Sequence, residues 1–194
     1  PAALDELLLR HYSAIREPRK RAMDLSGGVR FAWDRALTWA IGWSMLESSS
    51  KHGNFRWSGP LTESSLDLAL PFLSAHANNQ TWKVQFKIMA VLAPDVLQSL
   101  QLKIDGRQVP LTWARGPDWS YLFNGSFLRE TALREAIIHI EFKVNRTLSP
   151  GSSGTGNTDE RQLGIALNWI EFMPMPDQES VGLCLRQSPR IPRP

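Results

Sequence analysis

Thr81-Trp82-Lys83-Val84-Gln85-Phe86-Lys87-Ile88-Met89-Ala90 is the stretch that decides the fold. Trp82, Val84, Phe86, Ile88 and Ala90 point one way, while Lys83, Gln85 and Lys87 point the other. That two-residue period is the alternation of a strand, with one face in a core and one face in water. Antiparallel sheets wetted on one side read this way. The same period recurs on either side. Upstream, Leu37, Trp39, Ile41 and Trp43 alternate with Thr38, Ala40 and Gly42, and Leu66, Leu68 and Leu70 with Asp67 and Ala69. Downstream, Leu100, Leu102 and Ile104 oppose Gln101 and Lys103, and Ile138, Ile140, Phe142 and Val144 oppose His139, Glu141 and Lys143. Residues 163–172 are apolar on both faces, which predicts a central or covered strand.

Turn chemistry separates these runs. Asp105-Gly106 between two apolar runs predicts a tight hairpin whose central residues both take positive φ. Asn124-Gly125, between Tyr121-Leu122-Phe123 and Phe127-Leu128, carries the same signal. Residues 128–136 could form one helical turn, and Pro150 to Asn157, rich in Gly and Ser, reads as a mobile loop. Many short strands with turns between them predict a mostly β chain, a two-sheet antiparallel sandwich of the jelly-roll kind. Residues 4–23 precede it as an amphipathic helix, with Leu4, Leu8 and Ile15 at helical spacing and a break near Pro18. The expected organisation is a helix and linker over 1–28, a sandwich over 29–175 and a Pro-rich extended tail over 176–194.

The composition excludes several classes. At 194 residues and 42% hydrophobic content the chain can build one continuous core. One cysteine, Cys184, cannot form an intramolecular disulfide or a thiolate zinc site. No apolar run approaches the roughly 20 residues of a spanning helix, so no direct membrane insertion is expected. No charged-then-apolar leader opens the chain, and it starts on Pro1, which reads as a piece of something longer. The net charge is +3, and residues 1–35 hold seven basic and five acidic side chains. The one cluster, Arg16, Arg19, Lys20 and Arg21, reads as a solvated helix end and not as a phosphate-binding face. No nucleic-acid partner is expected.

Catalytic patterns are sparse. His11, His52, His76 and His139 show no metal-ligand spacing, and His139 falls on the polar face of a strand. Gly151-Ser152-Ser153-Gly154 lacks the strand that a nucleophile elbow needs. Ser26-Gly27-Gly28 and Gly154-Thr155-Gly156 lack the Lys-Ser/Thr of a phosphate loop. Glu47, Glu63, Asp67, Asp159 and Glu160 stand at strand ends or loops, and a glycosidase requires two carboxyls about 5–10 Å apart. A hydrolase or transferase therefore stays open as one alternative. No cofactor is expected. Calcium is an option only in that Asp159-Glu160 follow a loop, without a visible set of six or more oxygens. The sequons at Asn79, Asn124 and Asn145 matter only in a secreted eukaryotic chain.

The informative excess is aromatic: eight tryptophans. Trp39, Trp43 and Trp82 fall on apolar strand faces and read as core. Trp57 follows a polar stretch, and Trp113 and Trp119 bracket Ala114-Arg115-Gly116-Pro117-Asp118, a loop by composition. An indole face beside Arg115, Asp118 or Glu47 suits a sugar ring, whose axial C–H face stacks while its hydroxyls meet polar groups. The competing reading is that these indoles pin loops onto the sandwich.

Gly42-Trp43, Glu47, Arg56-Trp57-Ser58 and Leu66-Asp67-Leu68-Ala69-Leu70-Pro71, with the later Asp159, Arg161, Leu163 and Gly164, make a pattern. It resembles an accessory β-sandwich of bacterial glycosyltransferases and membrane sugar- or phosphoglycerol-transferring proteins of cell-surface polysaccharide synthesis. The resemblance covers about residues 37–172, and the polar stretch Ser48 to Gly53 departs from it. It implies a non-catalytic carbohydrate-interacting domain of a larger bacterial protein, cytoplasmic or periplasmic. The partners it implies are a polysaccharide or oligosaccharide, and the rest of the parent protein through the N-terminal helix. Physical reasoning adds that Arg161 should pair with Glu47 or Asp159, and that Gly164 permits close backbone approach or a bulge. A scaffold or dimerisation domain with no sugar site is the other alternative. Exposed loop indoles favour sugar, and buried ones favour scaffold.

Overall fold

The computed structural model describes residues 28–33, 39–69, 80–129, 137–153 and 158–175. The expectations for the N-terminal helix, all but the first two residues of the 128–136 helical turn (Leu128 and Arg129 end a strand), the far half of the 150–157 loop, the tail, His11, His76 and Cys184 lie outside them.

Two antiparallel sheets face each other. The first has seven strands: β3 (Glu47–Ser49), β4 (Gly53–Trp57), β12 (Ile165–Pro174), β6 (Gln80–Val91), β10 (Tyr121–Arg129) and β9 (Leu111–Arg115) in that order, with β1 (Val29–Ala32) also on β12. The second has five, in the order β2 (Trp39–Ile41), β5 (Glu63–Ala69), β11 (Ile137–Lys143), β7 (Gln101–Ile104) and β8 (Arg107–Val109). The β6 alternation holds as far as Ile88: Trp82, Val84, Phe86 and Ile88 are buried against Leu66, Leu68, Leu102, Ile138, Ile140 and Phe142 of the opposite sheet, but a register shift against β12 sends Ala90 to the outer face. Phe86 lies at the centre. Its ring stacks on Phe123 at 4.9 Å and meets Phe142 edge-on at 5.5 Å.

The strand that is apolar on both faces, β12, is central, between β4 and β6. Ile165, Leu167, Ile170 and Phe172 enter the main core, while Ala166 joins Trp57 and Leu163 in a small second core on the outer face. Asp105 and Gly106 take φ of 49° and 76°, and the predicted hairpin joins β7 to β8.

Three local expectations are corrected. Asn124-Gly125 is no turn; it lies mid-strand in β10, paired on both sides. Gln85 Nε2 donates to Asn124 Oδ1 at 2.8 Å, and a Cβ on Gly125 would lie 2.7 Å from Val109 Cγ1. The glycine is there for close approach, a demand that leaves the same sequence mark as a turn. Trp39 is not core: it is 60% exposed. Gly42, at φ 74°, reverses the side on which the chain presents its residues. Trp39 and Ile41 therefore flank Asp67 and Ser65 on the outer face, whereas Trp43 packs against the core. Trp113 and Arg115 are strand residues of β9, not loop residues. A one-turn helix, α1 (Pro94–Gln98), joins β6 to β7; Pro94 at its start and Asp95 in its first turn were readable signals.

Candidate functional site

The residues singled out from sequence divide between two places. Trp57 closes β4 and is only 9% exposed, so it is no surface platform. Its partner across the ladder is Ala166, itself paired with Ala90, and these small side chains leave room for the indole. It walls a cleft of about 290 Å³ together with Trp43, Ser44, Gly59 and Arg161. Beside that cleft, Arg161 binds two carboxylates: Nη1 donates to Glu47 Oε1 at 2.7 Å and Nη2 to Asp159 Oδ2 at 2.6 Å. Its Nε adds a bond to Asp159 Oδ1 at 2.9 Å. The hydrogen bonds from Arg161 hold the Asp159 carboxyl below its ordinary range, and both carboxylates hold the guanidinium above its own.

A carboxylate so held is a poor general acid, because proton donation at neutral pH needs a raised value. Both its oxygens accept hydrogen bonds from Arg161. Among the described residues no group of three or more His, Cys, Asp or Glu could hold a metal ion. Gly164 sits where the chain re-enters the sandwich: its N–H donates to Ser58 O at 2.8 Å, and a Cβ there would lie 2.5 Å from Ser58 Oγ. Because the Arg161 side chain is 48% exposed, Arg161→Ala should lower stability by less than about 1 kcal/mol. Urea titration of the variant checks this, and a much larger drop would make the cluster the fastening of the loop.

Trp113, Arg115, Asp118 and Trp119 do come together, at the edge where β9 turns into β10. Trp113 pairs with Phe123 and Arg115 with Tyr121, so both share the inward face of the sheet at its last strand. Trp113 leans edge-on against Tyr121 at 5.7 Å and stays 46% exposed. Trp119 is 65% exposed, and the Arg115 guanidinium lies 4.1 Å from its ring centroid, a cation–π stack. Trp119 has φ 67°, a left-handed conformation that is strained for a bulky residue.

The turn that imposes it is tied down. Gly116 N–H donates to Ser120 O at 2.8 Å, and Asp118 Oδ1 accepts from Ser120 N at 3.2 Å and from Ser120 Oγ at 2.5 Å. On the outer face Lys87 Nζ donates to Asp118 Oδ2 at 2.6 Å, and the buried Nδ1 of His52 lies 3.3 Å from the same oxygen without hydrogen-bond alignment. Asp118, a ligand candidate by sequence, anchors the Trp119 turn, and Lys87 and His52 beside it carried no sequence signal.

No family model matches the chain. No curated protein matches it either. Among solved structures it is similar to the Podospora anserina GH26-CBM35 β-(1,4)-mannanase, with a TM-score of 0.44 and 8% identity over 79% of this chain and 29% of that one. The chain thus spans less than a third of that enzyme.

The Lys87 hydrogen bond, with that of Ser120, holds the Asp118 carboxyl well below its ordinary range. A carboxyl lowered in the folded state stabilises fully above its unfolded value of about 3.9, and the contribution is lost as pH falls through the folded value. The turn should therefore keep its geometry from neutral pH to about pH 4. Asp118→Asn should loosen it at neutral pH, read as a weaker cooperative fluorescence or near-ultraviolet signal of Trp119 with little change in the global midpoint.

Proposed function

We propose that this chain is a non-catalytic carbohydrate-binding module whose surface is the Trp113–Arg115–Trp119 corner. One observation carries the reading: two half- to mostly exposed indoles meet at a single edge, one of them in a strained backbone and faced by a stacked guanidinium. Exposed large aromatics are costly to keep in water, and strain concentrates where a side chain must be aimed. Sugar rings supply the matching chemistry, C–H faces for the indoles and hydroxyl acceptors for the guanidinium. The Asp159–Arg161–Leu163–Gly164 resemblance supports a bacterial glycan-assembly protein as the parent. Arg161's hold on Glu47 and Asp159 favours binding over hydrolysis.

A glycan array probed with the chain and with the folded Trp113→Ala/Trp119→Ala double variant tests this. Binding that the double variant loses supports the module and locates its face. An array silent for the parent chain moves the weight to a scaffold role.

A further inference from the structure

The outer face of the five-stranded sheet holds a cleft of about 310 Å³, and the exposed Trp39 stands outside its lining, two residues along β2 from the lining residue Ile41. Three rows of paired residues cross that face, the second and third lining the cleft and the first reaching it only at His139. Trp39, Asp67 and His139 lie side by side on β2, β5 and β11; Ile41, Ser65, Glu141 and Lys103 form the next row, and Glu63, Lys143 and Gln101 the third. Ile41 and the exposed Leu61 wall it on the side of β2.

Each carboxylate on this face has a lysine or histidine nitrogen within 3.5 Å. Asp67 Oδ1 lies 2.5 Å from His139 Nδ1, Glu63 Oε1 2.7 Å from Lys143 Nζ, and Glu141 Oε2 3.5 Å from Lys103 Nζ, with its Oε1 3.4 Å from His139 Nε2. An ionic ligand would have to displace one of these partners. A neutral ligand that both donates and accepts need not: carboxylates and ammonium groups at neighbouring strand positions offer acceptors and donors in alternation, which is what successive hydroxyls use. The Trp39 indole stands exposed at the end of the first row, with Ile41 two residues on along the same face. That is a flat apolar edge for a C–H face.

We propose that this cleft is a second binding site, for a neutral oligosaccharide. The cleft spans β2, β5, β11 and β7 of the five-stranded sheet, whereas the Trp113–Trp119 corner belongs to β9 of the other sheet and the turn that follows it. Two sites on separate sheets let one domain hold a long polymer twice, or two chains at once, and raise its retention on polysaccharide without any tighter contact.

The test is fluorine NMR of the 5-fluorotryptophan-labelled chain, each resonance assigned by single Trp→Phe variants. The probes are cello-, manno-, xylo- and malto-hexaose, with a galacturonate oligomer as the charged control. The expected result is a saturable shift of the Trp39 resonance with at least one neutral probe. It should persist in the Trp113→Ala/Trp119→Ala variant and weaken at least ten-fold in Glu141→Gln, which keeps the shape of the cleft. Three results overturn the proposal: a Trp39 resonance unmoved by every neutral probe, one moved by galacturonate alone, or a shift that vanishes with the Trp113–Trp119 pair. Failure of the first site reads separately, as Trp113 and Trp119 resonances that never move.

Discussion

Trp119→Gly should weaken glycan binding roughly thirty-fold or more while leaving the domain as stable as before, or more stable. The two halves of that expectation have different causes. The side chain is 65% exposed and its one ring partner is the Arg115 guanidinium, so removing it uncovers little core. The backbone sits at φ 67°, where an L-residue with a Cβ is disfavoured by roughly 1–2 kcal/mol and glycine is at ease. The added freedom of glycine in the unfolded chain offsets part of that relief. Binding moves the other way. Aromatic anchors at recognition surfaces are worth about 2 kcal/mol or more on truncation, roughly thirty-fold in affinity.

Trp113→Ala makes the comparison. That indole leans on Tyr121 and Phe123, so its loss should cost about 1 kcal/mol of stability as well as affinity. Calorimetric titration beside urea unfolding reads both quantities. A Trp119→Gly protein that binds as the parent does removes the corner as a sugar site. One that unfolds makes the indole a structural pin.

What the sequence showed and what it hid follow from how local each cause is. The strands β6, β7 and β11 were legible because their alternation depends only on which face is wet. The Asp105-Gly106 hairpin was legible because its positive φ values are a demand of the turn itself. The Arg115–Trp119 stack joins residues four apart across a Gly-Pro turn, and composition alone pointed at it. The failures all depend on another strand. Asn124-Gly125 needed knowledge that Val109 and Gln85 crowd it. Burial of Trp57 depends on the small residues Ala90 and Ala166 arriving beneath it. Trp39 and Trp43 look equivalent by spacing, and only the conformation of Gly42 sends them to opposite faces. Asp118 looked free because Lys87, its partner, comes from the middle of a strand whose polar residues seemed merely solvated.

Phe86→Ala should cost about 3–5 kcal/mol, the largest single-residue loss in the described core. Phe86 is fully buried on the middle of β6, the strand with the longest pairings on both sides. Its ring lies within 6° of parallel to Phe123 in its own sheet and at 87° to Phe142 in the other, so it couples the two sheets as well as filling space. Truncation leaves a hole lined by rigid rings that cannot collapse into it, and the cavity cost adds to the lost transfer energy. Phe86→Leu retains most of the volume and should lose only about 1–2 kcal/mol, close to the value of its aromatic contacts. Domains of this size are stable by about 5–15 kcal/mol, so the alanine variant stands near the edge of unfolding at ambient temperature. The check is the urea midpoint at unchanged slope. Neighbouring Lys87 holds Asp118 from the same strand, so the alanine variant, at temperatures where it is folded, should keep its glycan affinity. A loss below about 1.5 kcal/mol would mean that the sheets close over the gap, and that the three rings are not the keystone of the sandwich.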